Sequence, residues 1–143
     1  MTTFKSTIHL PLPVERVYEF LADCNNHEQL QPENIYNWSS TRDEANFTIK
    51  NMAKLSLKVV ERVENSSIRF EPGSEAPFEV SLNWLIQPVD GGTEVTLQLD
   101  AELNMMMKMM ASGPLQKKID HQINKLPEGL SEILYLVIQP CGR

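Results

Sequence analysis

Phe78-Glu79-Val80-Ser81-Leu82-Asn83-Trp84-Leu85-Ile86-Gln87-Pro88-Val89-Asp90-Gly91-Gly92-Thr93-Glu94-Val95-Thr96-Leu97-Gln98-Leu99-Asp100-Ala101-Glu102-Leu103 reads the same way on both sides of its Asp-Gly-Gly centre. Before it, Phe78, Val80, Leu82, Trp84 and Ile86 occupy alternate positions; after it, Thr93, Val95, Leu97, Leu99, Ala101 and Leu103 do. A period of two puts one face of each segment in a core, and Asp-Gly-Gly suits a tight reversal, so the stretch predicts a long antiparallel hairpin.

Upstream, strand-like runs from Ile35 onward are separated by turn signals at residues 41–44, 51–52, 64–66 and 72–74. Short connections of this kind imply antiparallel neighbours. Leu55, Leu57, Val59 and Val63 share one face, and Glu61 breaks it, either at a strand end, at a bulge or as a polar group aimed inward. Tyr36 and Trp38 share a face of the first of these strands. Cys24 to Asn34 is polar, carries Pro32 and reads as a loop or a second short helical turn. Before it, Val14, Val17, Tyr18 and Leu21 recur at helical spacing behind Pro13 as far as about Asp23, preceded by a strand with Phe4, Ser6, Ile8 and Leu10 on one face.

Downstream, Met105 to Met110 leads into Ser112-Gly113-Pro114, which predicts a helix start with proline in the first turn. Leu115, Ile119, Ile123, Leu126, Leu130, Ile133 and Leu134 then form an apolar stripe that continues through Leu136, with a short tail from about residue 137. Pro127 and Gly129 interrupt the stripe and predict a kink or break near Lys125. The order is strand, helix, short helical segment, six strands and a long terminal helix. A sheet and a helix that each have one apolar side bury each other, which predicts one α+β domain over residues 1–143.

With 143 residues the chain can bury a sizeable core. A formal net charge of -6 argues against nucleic acid, whose binding needs clustered cations. No apolar run approaches the roughly 20 residues needed to span a bilayer. The residues after Met1 lack the apolar stretch of a signal peptide, so the expected location is cytoplasmic. Cys24 and Cys141 are far apart and imply no disulfide framework.

Catalytic motifs are sparse. His27-Glu28 opens like a zinc-protease helix, but Gln31 stands where the second histidine is required. His9, His27 and His121 have no ligand spacing, so no metal is expected. No phosphate loop, nucleophile elbow or Cys-x-x-Cys pair occurs, and no cofactor is expected. General acid-base chemistry would fall to Glu61 or His121, against the plainer alternatives of a strand edge and a wet helix face. The methionines suit either a lid or cavity wall, or simple plugging of the core beneath the helix start.

The opening strand into Leu12-Pro13-Val14-Glu15-Arg16-Val17-Tyr18-Glu19-Phe20-Leu21-Ala22-Asp23, the turn Gly91-Gly92-Thr93-Glu94-Val95 and Gly113-Pro114-Leu115 resemble the START-like, or SRPBCC, superfamily. That superfamily includes polyketide cyclase and dehydrase-like proteins and the birch-pollen-allergen type. The resemblance implies a helix-grip fold, in which a curved sheet wraps the terminal helix around a cavity for a lipid-, polyketide- or aromatic-like ligand. With the inward alternation, it places Phe78, Leu82, Trp84, Leu97 and Leu99 of the sheet around that cavity. Met106, Met109, Met110, Ile119 and Ile123 would face them from the terminal segment. The leading expectation is a non-enzymatic binder of a small hydrophobic molecule. Alternatives are a cyclase- or dehydratase-like enzyme and a module that meets a protein partner or a second copy of itself.

Overall fold

The computed structural model describes residues 2–50, 53–73 and 79–138. Strand β1 (Thr2–Leu10) leads into helix α1 (Val14–Leu21) and two single 3₁₀ turns, Cys24–Asn26 and Glu28–Leu30. Strands β2 (Ile35–Ser40), β3 (Glu44–Ile49), β4 (Ala53–Val63), β5 (Ser67–Pro72), β6 (Val80–Val89) and β7 (Gly92–Ala101) follow, and helix α2 (Met105–Ile138) closes the order. The short helical segment expected between α1 and β2 is thus two 3₁₀ turns. All seven strands form one antiparallel sheet in the order β1-β7-β6-β5-β4-β3-β2, curled against α2 in the helix-grip manner.

The predicted hairpin is there in full register, from Val80 opposite Ala101 to Val89 opposite Gly92. Asp90 and Gly91 make the reversal, with Gly91 at φ 85°, a left-handed backbone that costs glycine little. Gly92 is required for a different reason: a Cβ there would overlap the Leu10 carbonyl oxygen, where β7 starts against the end of β1. The inward residues Val80, Leu82, Trp84, Ile86, Val95, Leu97, Leu99 and Ala101 are all buried. Each large one contributes about 1.5–3 kcal/mol by leaving water.

On α2, Leu115, Ile119, Ile123, Leu126 and Leu130 are buried, as their spacing requires. The stripe positions from Ile133 onward, the tail at 139–143 including Cys141, and Phe78 lie outside the residues whose side chains are described.

Four local expectations are corrected. Helix α2 starts at Met105, because the Asn104 side chain accepts from the Met107 backbone N–H at 2.8 Å and caps the first turn. Pro114 therefore sits inside the helix rather than at its start. Pro127 does not split α2, which runs unbroken to Ile138; nearby Gly129 packs against α1, since a Cβ there would lie 2.9 Å from Phe20 Cζ. In β4 the bulge expected as one alternative for Glu61 falls between Val59 and Glu61 and reverses the alternation, so Glu61 is exposed, Val63 is exposed rather than on the shared face, and Arg62 turns inward. Its guanidinium donates to the Ala22 carbonyl at 3.1 and 2.9 Å and to the Arg42 carbonyl at 3.1 Å. In β2, Asn37 adopts φ 55° and the register shifts, so Tyr36 faces solvent while Trp38 faces inward.

Candidate functional site

Between the inner face of the sheet and α2, the described residues line an interior space of about 20 Å³. That is room for about one water molecule. Its walls are Cys24, His27 and Gln31 from the 3₁₀ region, Trp38, Phe47, Leu57, Phe70 and Leu82 from the strands, and Lys118 and Gln122 from α2. Outside it a groove of about 590 Å³ runs between Pro32, Glu33 and Asn34 on one bank and Gly113, Pro114, Lys117, Lys118 and His121 on the other. Lys118 belongs to both linings, so it stands between the groove and the interior.

Lys118 is 5% exposed. Its Nζ donates to Gln122 Oε1 at 2.6 Å, one helical turn on, and lies 5.3 Å from the centre of the Phe47 ring. Among the described residues it makes no ion pair. Burial without a counter-charge lowers its pKa from 10.5 to about 7, because leaving water penalises the ammonium form. Phe47 is held in place by Trp38, stacked on it at 5.4 Å and 12°, whose indole N–H donates to Ser40 Oγ at 3.0 Å.

His27 is the second buried base. Its Nε2 lies 2.8 Å from the Leu21 carbonyl oxygen, which only accepts, so that nitrogen carries the proton. Burial is the main force lowering its pKa from 6.5 to about 4; the Leu21 contact opposes it and the Lys118 charge adds to it. The ring is neutral near pH 7 and packs edge-on against Phe70 and Trp84, each at 5.6 Å. Gln31 donates from Nε2 to the His27 carbonyl at 2.9 Å, leaving Oε1 buried with no hydrogen-bond partner among the described residues. Cys24 is a buried thiol whose pKa is pushed up to about 12, chiefly by burial, so it is not a nucleophile here.

This layered arrangement is shared with known proteins. A family profile described as polyketide cyclase / dehydrase and lipid transport matches residues 1–128. The chain belongs to that family. Solved structures of the same fold include the KanY protein, with a TM-score of 0.76 at 11% identity, covering 91% of this chain and 97% of that one. The MLL2253 protein of Mesorhizobium loti gives 0.70 at 14%, covering 92% and 98%. The TTHA0849 protein of Thermus thermophilus gives 0.67 at 19%, covering 96% and 100%. At these identities the likeness establishes the fold. No curated protein matches.

In this member of the polyketide cyclase / dehydrase and lipid transport family, the residues expected around a cavity are dispersed. Leu82 lines the interior space; Trp84, Leu97, Leu99, Ile119 and Ile123 are buried in the packed core. Met106, Met109 and Met110 are 71%, 84% and 70% exposed on the first turns of α2, away from the interior, because the helix begins earlier than the proline suggested. Phe78 is outside the described residues. Glu61 is on the outer surface past the bulge, whereas His121 does line the groove, one turn from Lys118.

Lys118, Gln122 and His27 were not anticipated. A signal existed: Leu115, Lys118, Gln122 and Leu126 follow one another at helical spacing along the stripe, so two polar residues interrupt an apolar face. Among the described residues no group of three or more His, Cys, Asp or Glu gathers as metal ligands, and no helix is long and apolar enough to cross a membrane.

Proposed function

We propose that the protein binds a small, mainly apolar organic molecule in the groove beside α2, with Lys118 as the polar contact at the inner end. The observation that carries this reading is the position of Lys118: buried, shared by groove and interior, and without an ion-pair partner among the described residues. An uncompensated buried ammonium costs several kcal/mol. A perturbed cation at the end of a concave site is a marker of a ligand contact. The groove is within the roughly 300–1,000 Å³ range of small-molecule sites. Family membership supports a hydrophobic ligand. The groove on the flank of α2 is therefore the proposed site.

The test is titration with Nile red, a neutral apolar dye, against the wild type and Gly113→Leu. A Cβ at Gly113 meets nothing within 4 Å, so the added side chain occupies the groove without disturbing the core. Binding at least about tenfold weaker in the variant is expected, since occupied volume excludes the dye. Equal binding, or none to the wild type, refutes the reading.

A second reading, proton abstraction from a carbonyl ligand, is favoured by one observation: Lys118, with its pKa near 7, and His121 line the same groove. A lysine of that basicity is partly neutral near pH 7 and can act as a general base. Wash-out of the acetophenone methyl protons into heavy water, faster with wild type than with Lys118→Met, would establish it. Exchange at the buffer rate would dismiss it.

A further inference from the structure

Deepening the binding reading above, and resting on it, we infer that the ligand is an organic acid: a single carboxylate that pairs with Lys118, attached to an apolar body that lies along the groove. Elsewhere among the described residues, Arg62 pairs with Asp43, Arg69 with Glu71 and Lys125 with Glu128. At least one partner in each pair is well exposed, where water would solvate the charges anyway. Lys118 is the deeply buried cation, and among the described residues its only hydrogen-bond acceptor is the neutral Gln122. The chain is not short of carboxylates, with 19 Asp and Glu against 13 Lys and Arg, yet among the described residues none pairs with Lys118.

The groups facing the ammonium agree with this. The 3₁₀ region presents Cys24 and His27, both uncharged near pH 7 in this environment. The strands contribute only uncharged side chains to the interior lining. In the groove stand Glu33, Lys117 and His121, and Glu33 forms no ion pair with Lys118. An ammonium has three N–H donors and Gln122 accepts one, leaving donors for an incoming oxygen. One buried cation matches one negative charge. Lys117 and Glu33 stand in the same groove with opposite charges, which leaves Lys118 as the net positive charge there and favours a monoanion.

The experiment displaces Nile red with decanoate and, in parallel, with decanamide, which has the same body and no charge. At about pH 6, decanoate should compete at least about tenfold better than decanamide, since charge-assisted hydrogen bonds are roughly twice as strong as neutral ones. Above about pH 7 its advantage should fall, by up to about tenfold per pH unit, as the free protein's lysine loses its proton; decanamide should stay level. Calorimetry at about pH 8 in buffers of different ionisation enthalpy should register proton uptake on decanoate binding, a readout on the wild type that needs no variant. In Lys118→Met the preference should vanish while decanamide still competes.

Equal competition by acid and amide overturns this inference and leaves the binding reading standing. A preference that survives in Lys118→Met also overturns it, because another cation, such as Lys117, would then be reading the charge. Failure of Nile red to bind at all removes the binding reading, and this inference with it.

Discussion

Replacing Lys118 by methionine should stabilise the protein at low pH and lose that advantage as pH rises. The lysine is 5% exposed, with its pKa lowered from 10.5 to about 7 by burial. At 1.36 kcal/mol per pKa unit, keeping it charged in the fold costs about 5 kcal/mol. The sign follows from linkage: between about pH 7 and 10.5 the unfolded chain holds the proton and the folded chain does not, so wild-type stability rises with pH across that window. Below pH 7 both states are protonated and the full penalty applies.

Methionine fills nearly the same volume without a charge, but it removes the donor to Gln122, a loss of about 1–3 kcal/mol. It also removes the contact with Phe47, worth about 1 kcal/mol. The net gain at about pH 6 is therefore about 1–3 kcal/mol. Between about pH 7 and 10 it should shrink by about 1.4 kcal/mol per unit and change sign. Urea unfolding of both proteins, followed by the fluorescence of Trp38 and Trp84 at about pH 6, 8 and 10, measures this directly. Stability curves that run parallel across the range would show that the ammonium is not held in a low-dielectric site, and the reasoning built on it would fail.

Three further outcomes are expected. The His27 imidazole should titrate near 4 by NMR, and since the unfolded chain binds its proton from 6.5 downward, stability should fall by about 3 kcal/mol between pH 6.5 and 4 on this account; an imidazole titrating near 6.5 refutes the buried, Leu21-bonded geometry. Gly92→Ala should destabilise by more than about 2 kcal/mol in urea, since its Cβ meets backbone that cannot step aside; a change below about 0.5 kcal/mol would mean that β1 and β7 do not approach as described. Met109→Glu should leave stability within about 0.5 kcal/mol, because the side chain is 84% exposed; a large loss would return the methionine run to the core.

How far the sequence could be read depended on the range of the cause. The β6–β7 hairpin, the α1 face and the α2 stripe were legible because alternation and helical spacing report which side of one element is apolar, a property of neighbours in the chain. Misreadings came where one residue changes the direction of the rest. A bulge before Glu61 turned Arg62 inward and Val63 outward, and the left-handed Asn37 separated Tyr36 from Trp38. The Asn104 cap lies ahead of a methionine run whose more obvious punctuation was Gly113-Pro114, so the helix start was placed too late.

By itself, then, the sequence determined a curled antiparallel sheet gripped around a terminal helix, and the family to which such a chain belongs. Tertiary structure alone decided that Lys118 is buried where a groove on the flank of α2 meets the interior. The reason is that the burial of Lys118 is set by Phe47 on β3 and by the 3₁₀ region carrying His27, segments far from it along the chain. In a list of residues Lys118 is one more cation on a polar helix; only packing takes its water away and makes its charge available to a ligand.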